Sequence, residues 1–519
     1  MNGAALLLLL LREQGVETIF GYPGGAVLPI YDALGHDGRI HHVMACHEQG
    51  AIHAADGYAR ATGRTGVCLA TSGPGATNLV TGIACAWMDS VPLVALTGSV
   101  PADMVGSDSF QEIDIAGITM PVTKHNYVVR DVSALTDVIR EAFAVARAGR
   151  PGPVLVDISL TAQTADAEPH PLCPARTPGT PPAPDLSRAG DALALLRDAR
   201  RPLLYAGGGV VSSGAAPLLQ AFCEKTGLPV VTSMMGLTAL PRAHPSHLGF
   251  AGHYGHAAAA RALADCDALL ALGTRFSERA TGDRDAFSRN KRILHVDVDP
   301  AELNKNIQNV TGIVSDIPVF LKALLHLHGE NGQFAGVTPS ALPSNPAPEE
   351  AAARDIIRTV HALLPEEAVI VTDVGSHQIW TARHYNFVRP RSFLTSGGLG
   401  AMGFGLGAAI GASIGLGGAP AVLFTGDGSF HMNMNELAVA VTQRLPVIVV
   451  VLNNGVLGML RTLGMRHETE PRRRTDFAAF ARALGALGAR CETPVQIREA
   501  VRTALHDGLP CVIDCPLAP

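Results

Sequence analysis

Long hydrophobic runs are lacking. The leucine-rich start, "ALLLLLLREQGV", is too short to span a bilayer and has no basic leader, so it reads as an amphipathic or buried first helix. Paired CxxC spacing is lacking too. The nine cysteines are scattered, with Cys511 and Cys515 the only loose pair, which points to reduced, buried thiols and away from structural zinc. There is no basic excess: 40 Lys and Arg stand against 46 Asp and Glu, a net charge of −6. A nucleic-acid binder would show a basic face, so that class is excluded, and the expected place is the cytoplasm with no membrane partner. What is present is a folding composition, 47% hydrophobic and 17% charged, over 519 residues. That length exceeds one core and calls for two to four domains. The 55 glycines and 35 prolines imply many tight turns.

Two proline-rich stretches without hydrophobic periodicity, 163–186 and 331–350, read as linkers. They leave blocks 1–162, 187–330 and 351–519, each of ordinary domain size. Every block alternates helical segments with short Val/Ile/Leu runs that end in Gly or Asn: "GVCLATSG", "PLLYAGGG", "AVLFTGDG", "PVIVVVLNN". Such runs predict parallel strands buried on both faces, hence three doubly wound α/β domains. In that architecture ligands sit beyond the carboxyl ends of the strands.

One pair of strand ends carries metal chemistry. "AVLFTGDG" delivers Asp427, which reads as an exposed acid in a glycine turn, and "PVIVVVLNN" delivers Asn454, 27 residues further on. With "MNELAVAVTQRL" as the crossover helix, one βαβ unit brings the two side chains together. Both are oxygen ligands, and Mg²⁺ commonly combines one or two side chains with phosphate oxygens. Gly428 and Ser429 can offer N–H groups to a phosphate at the helix start. GDG alone is equally an ordinary turn; the spacing to a paired asparagine behind a β-branched strand is what singles it out.

GDG followed by a hydrophobic run ending in NN resembles the signature of the thiamine-diphosphate enzymes. The resemblance implies that Asp427, Asn454 and the carbonyl of Val456 hold Mg²⁺, which anchors the coenzyme diphosphate. "HEQGAIHAADGYARATG" is similar to the family's glutamate-bearing helix, which makes Glu48 the acid on the aminopyrimidine ring. A carboxyl in that role works best desolvated. Without the resemblance, Glu48 is a first-turn acid complementing a helix dipole. In the family the glutamate domain faces the diphosphate domain of a second subunit, so at least a homodimer, or a tetramer, is implied.

Further stretches resemble the acetolactate synthase family. "GYPGGAVLPIYDAL" places Gly24 and Gly25 near the coenzyme, and "TSGPGATN" adds Pro74 and Asn78. "SFQE" puts Phe110 and Gln111 at the reaction pocket. "TDVGSHQIW" supplies Gly375, Ser376 and His377, and "TSGGLGAMGFGL" supplies Gly400 and Met402, the latter beneath the bent coenzyme. Leu457, Gly458 and Met459 follow Val456 toward the diphosphate. The middle block is similar to the FAD-binding form of the family. That implies flavin contacts at Arg150, Gly207, Gly208, Gly252, His253, Asp297 and Asp316, the flavin being structural rather than redox-active. Arg275 is implied at the carboxylate of the second keto acid, where a guanidinium's paired donors suit it; otherwise it is a surface ion-pair arginine.

Three departures stand out. Leu463 occupies the place of the family's tryptophan that favours 2-ketobutyrate, Phe250 replaces a methionine, and the chain lacks the family's closing tail, which bears on the lid. The implied reaction is decarboxylation of pyruvate and transfer of the two-carbon unit to pyruvate or 2-ketobutyrate, in branched-chain amino acid synthesis. A small regulatory subunit is a candidate partner. The alternatives are a 2-keto acid decarboxylase, a pyruvate oxidase, or a binding subunit that has lost turnover.

Overall fold

Near-continuous apolar segments such as Gly66–Ala70 and Pro153–Ser159 are buried at every position, as strands covered on both faces must be. The computed structural model describes residues 1–168, 186–329, 332–334, 346–462, 464 and 475–517. Most of the two expected linkers, and Leu463, lie outside the described residues.

Three six-stranded parallel sheets organise the chain, as the strand pattern predicts. The first holds β1 (Thr18–Gly21), β2 (His41–Met44), β3 (Gly66–Ala70), β4 (Leu93–Ser99), β5 (His125–Val129) and β6 (Pro153–Ser159), in the order β2-β1-β3-β4-β6-β5. The second holds β7 (Pro202–Ala206), β8 (Val230–Thr232), β9 (His247–Phe250), β10 (Ala268–Leu272), β11 (Arg292–Asp297) and β12 (Thr311–Val314), in the order β12-β11-β10-β7-β8-β9. The third holds β13 (Val369–Thr372), β14 (Phe393–Thr395), β15 (Ala421–Gly426), β16 (Val447–Asn453), β17 (Leu487–Arg490) and β18 (Cys511–Pro516), in the order β14-β13-β15-β16-β18-β17. The first and third orders are the same, 2-1-3-4-6-5. The second is the dinucleotide-fold order 3-2-1-4-5-6.

The chain forms two compact units. One comprises residues 1–179, 367–377 and 394–519 and carries the first sheet and, save Phe393, the third; the other comprises 180–366 and 378–393 and carries the second. Within the first unit a single apolar core runs from Phe20 and Leu93 of one sheet to Val371 and Leu423 of the other. It passes through the helices Glu48–Thr62 and Phe404–Gly415. The leucine-rich start is the helix Gly3–Glu13, with Leu6, Leu7, Leu8, Leu10 and Leu11 buried against the far face of the first sheet. It is therefore a core helix. No helix among the described residues is long and apolar enough to cross a membrane.

The β15–β16 crossover differs from the single helix read from "MNELAVAVTQRL". A helix begins at Asp427 itself and ends at Asn433, a 3₁₀ turn covers Met434–Glu436, and a second helix covers Leu437–Thr442. The break has a local cause: Asn433 leaves helical geometry (φ −141°, ψ 24°), and its side-chain amide donates to the carbonyl of Gly403 at 2.8 Å.

Candidate active site

In an open parallel sheet the place for a ligand is where the strand order reverses, beyond the carboxyl ends. The first sheet reverses between β1 and β3, the third between β13 and β15. The candidate residues gather at these two places.

At the first, the turns after β1 and β3 are knit together by the Ala26 N–H, which donates to Thr71 Oγ1 at 3.2 Å. Gly24 packs on the same threonine. Glu48 opens the helix after β2, and Asn78 Nδ2 donates to its Oε2 at 2.9 Å. Gly75 comes so close that a Cβ would stand 3.2 Å from Glu48 Oε1. The Phe110–Gln111 loop passes over Gly73, where a Cβ would sit 2.8 Å from that of Gln111. Gln111 itself holds φ +60°, a left-handed conformation that a non-glycine residue keeps only under constraint. Phe110 is 88% exposed, as an apolar side chain offered to another surface would be. Glu48, Asn78, Pro74, Gln111 and the Gly24–Gly25 turn thus form one cluster.

At the second, β15 and β16 pair in register through Gly426 and Leu452, so Asp427 and Asn454 leave neighbouring strand ends side by side. Asp427 is 5% exposed, which corrects the reading of an exposed turn acid. As the first helical residue it packs inward, and burial raises its pKa, with the nearby Asp514 carboxylate adding to the rise. A carboxyl set beside the Asn454 amide at neighbouring strand ends offers the oxygen ligands a hard cation takes. Asn454 Oδ1 accepts from Val456 N–H at 3.2 Å, folding the chain so that Val456 returns beside it. Around this pair stand the other candidates. A Cβ on Gly458 would lie 3.0 Å from Ser376 Oγ and 3.3 Å from Asn454 Nδ2. One on Gly428 would lie 2.7 Å from Leu457, and one on Gly426 would lie 3.0 Å from His377 Nδ1. His377 is fully buried and neutral, its pKa lowered to about 3 by desolvation, and its Nε2 has no partner. The Gly400–Gly403 turn carrying Met402 is pinned by Ala401 N–H to Ser396 Oγ at 3.1 Å and Gly405 N–H to Asp373 Oδ1 at 2.8 Å. Among the described residues no group of three or more His, Cys, Asp or Glu is arranged for a metal, and the expected set (one carboxylate, one amide oxygen, one carbonyl) is of a different kind.

The flavin candidates Gly207, Gly208, Gly252, His253, Asp297 and Asp316 lie at the carboxyl edge of the second sheet. It reverses between β7 and β10, where the glycines leave no room for side chains: a Cβ on Gly209 would stand 2.8 Å from Gly273 Cα. Asp297 ends β11, and Asp316 follows the neighbouring β12 with Oδ1 buried and unpartnered. Arg275 follows the β10 turn, half-buried, its carbonyl accepting from Asn306 Nδ2 at 2.8 Å. Arg150 belongs to the other unit, just before the amino end of β6, and its Nε donates to Ser90 Oγ at 2.7 Å.

Sequence reading missed Asp373, Asn433 and Glu436, buried polar residues that fix the turns around the candidates. None carried a signal, because each sits in a run that reads as strand or helix.

Comparison with known proteins places the whole chain in one family. Residues 1–118 match the family described as thiamine pyrophosphate enzyme, N-terminal TPP binding domain. Residues 189–324 match its central domain and 373–515 its C-terminal TPP binding domain. The chain is similar to an acetolactate synthase large subunit of Mycobacterium tuberculosis, 42% identical over 545 residues, covering 100% of this chain and 87% of that one. It is similar also to the acetolactate synthase isozyme 2 large subunit of Escherichia coli K12, at 41% over 521 residues (98% and 94% covered). A probable acetolactate synthase large subunit of Methanocaldococcus jannaschii is 39% identical over 547 residues (100% and 92%). Identity at this level over whole chains, with all three domain models matched in order, settles the family: the chain belongs to the acetolactate synthase large subunits of the thiamine-diphosphate enzymes.

Proposed function

We propose that the chain decarboxylates pyruvate and passes the two-carbon unit to a second 2-keto acid, pyruvate or 2-ketobutyrate, as the first common step of branched-chain amino acid synthesis. The observation that carries this reading is the convergence of Ser376, Asp427, Asn454 and Gly458 at one switch point, with Glu48 and Asn78 at another. When bound, thiamine diphosphate supplies the electron sink for the decarboxylation. The chain's residues do the rest. Asp427, Asn454 and the Val456 carbonyl would hold Mg²⁺, and Ser376, His377, Gly428 and Ser429 would surround the diphosphate. Met402 would supply an adaptable apolar contact to the coenzyme. Glu48, held by Asn78, is the residue that would hold or release a proton at the aminopyrimidine end of the bound coenzyme. Phe110 and Gln111 line the pocket, and Arg275 holds the acceptor carboxylate.

A homodimer at least completes the site, in the cytoplasm and with a smaller regulatory chain as a candidate partner. The support is that the third-sheet element facing Glu48 in its own unit is the Met434–Glu436 turn, not the Asp427 end of the crossover. FAD is proposed at the second sheet on its dinucleotide strand order and the orphaned Asp316 oxygen. The domain limits proposed are 1–162, 187–330 and 351–519.

The test is product analysis with pyruvate, thiamine diphosphate and Mg²⁺, with and without FAD, for wild type and Glu48→Gln. Acetolactate from the wild type and a rate loss of about 10²–10⁴-fold in the variant are expected. Acetaldehyde or hydrogen peroxide as the product would overturn the assignment.

A further inference from the structure

The helix that presents Glu48 starts without a carboxylate cap of its own. Its N-cap is His47, whose Nδ1 accepts from the Gln49 N–H at 3.0 Å. The amides just before it are served from the other sheet of the same unit. Cys46 N–H donates to Glu436 Oε2 at 3.2 Å, and His47 N–H is a second donor to the same carboxyl. Glu436 is 1% exposed and stands at the end of the 3₁₀ turn that interrupts the crossover. Its other oxygen, Oε1, is buried and unpartnered beside Gly50, where any Cβ would overlap the carboxyl group. Glycine in a helix costs up to about 1 kcal/mol relative to alanine, and here, in the first turn, it makes the space that Glu436 enters. Three independent features therefore converge: a break in a crossover, a glycine in the opposing helix, and a buried carboxylate across two amides.

We propose that Glu436 is a positioning residue for Glu48, clamping the first turn of the Glu48–Thr62 helix so that the Glu48 carboxyl is held in place before the coenzyme arrives. This rests on the reading of Glu48 as the coenzyme-activating acid. The ionisable groups facing Glu436 are Cys46, His47 and Glu48. The helices Phe404–Gly415 and Leu437–Thr442 bring none, His53 packs one turn on against Phe404, and His431 is turned to the Asp427 carbonyl and Thr475. Burial and the Glu48 charge push the Glu436 carboxyl up to about 7. The clamp thus changes charge as pH passes through about 7.

The test uses the full chain with Glu436→Gln, Glu436→Ala and Glu48→Gln. Three quantities are read: hydrogen exchange over residues 46–51 without coenzyme, thiamine diphosphate affinity by calorimetry, and kcat/KM for pyruvate against pH. Glu436→Gln keeps one acceptor and the shape, so it retains the exchange protection but loses the inflection near pH about 7. Glu436→Ala loses about tenfold in protection and in coenzyme affinity, the fold-change of one missing cap. Unchanged protection and an unchanged pH profile in both variants, with Glu48→Gln inactive, would overturn the clamp and leave the Glu48 reading intact. Full turnover by Glu48→Gln would overturn that reading first, and the proposal with it.

Discussion

A carboxyl group that is neutral when folded and ionised when unfolded ties stability to pH. For Glu436 the folded value, about 7, lies above the usual carboxylate range. Its contribution is therefore fully present below the unfolded value and is lost as pH rises through about 7. The shift corresponds to about 3 kcal/mol at most, an upper estimate for a buried group beside a second acid. Glu436→Gln is neutral throughout, so it should match wild type near pH 5 and melt higher at pH 8; thermal unfolding at the two values measures this. A variant that melts lower at both would show that the charge is not the cost assumed. Residue-scale legibility followed the range of the chemistry. Asp427, Asn454 and Glu48 stand in short motifs whose residue types mark them as candidates. Glu436 could not be read, since the amide it serves lies 390 residues away in sequence. Asp427 was read in the right place but wrongly as exposed, because a helix packed from its first residue looks, in sequence, like a glycine turn.

At the scale of elements, the contact that unites the first and third sheets is made of small residues. The helices Glu48–Thr62 and Phe404–Gly415 approach until a Cβ on Gly57 would meet the Ala408 carbonyl, and one on Gly411 the Ala54 carbonyl. Alanine at an ordinary helical glycine gains up to about 1 kcal/mol, whereas overpacking costs about 1–3 kcal/mol. At Gly411 the backbone oxygen cannot move aside as a side chain would, so Gly411→Ala should lower stability by about 1–3 kcal/mol. Gly35, in the helix Leu28–Asp37, has nothing within 4 Å of its Cβ position, and Gly35→Ala should be neutral or stabilising. Denaturant midpoints of the two variants make the comparison, and equal effects would refute the close-packing account. The same glycines hid the element. "GFGLGAAIGASIG" carries turn residues at helix-facing positions, so its strand and turn neighbours were legible while the helix itself was not. The crossover break at Asn433–Glu436 was hidden for the opposite reason: its residues suit a helix, and only the Gly403 carbonyl draws Asn433 out of it.

At the scale of the molecule, periodicity was enough to anticipate three parallel sheets. It could not give their strand orders, which depend on which apolar faces meet. Those orders separate two chemistries. The repeated 2-1-3-4-6-5 pattern carries the candidate residues for thiamine diphosphate and Mg²⁺ in one unit, and the 3-2-1-4-5-6 pattern carries the flavin candidates in the other. Coenzyme that binds only the folded state raises stability by RT ln(1 + [L]/Kd), about 2.7 kcal/mol at a hundredfold excess over Kd. Thiamine diphosphate with Mg²⁺ should therefore raise the melting temperature of the wild type, and EDTA should remove the rise. Asp427→Asn should behave as wild type does in EDTA, because an amide oxygen holds the metal less well than a carboxylate. Asp316→Ala should give the complementary result. It removes the buried oxygen left without a partner at the end of β12, so visible flavin absorbance of the purified chain should fall while the rise with thiamine diphosphate and Mg²⁺ persists. Loss of that rise in Asp316→Ala, or its survival in Asp427→Asn, would show that the two strand orders do not divide the cofactors in this way.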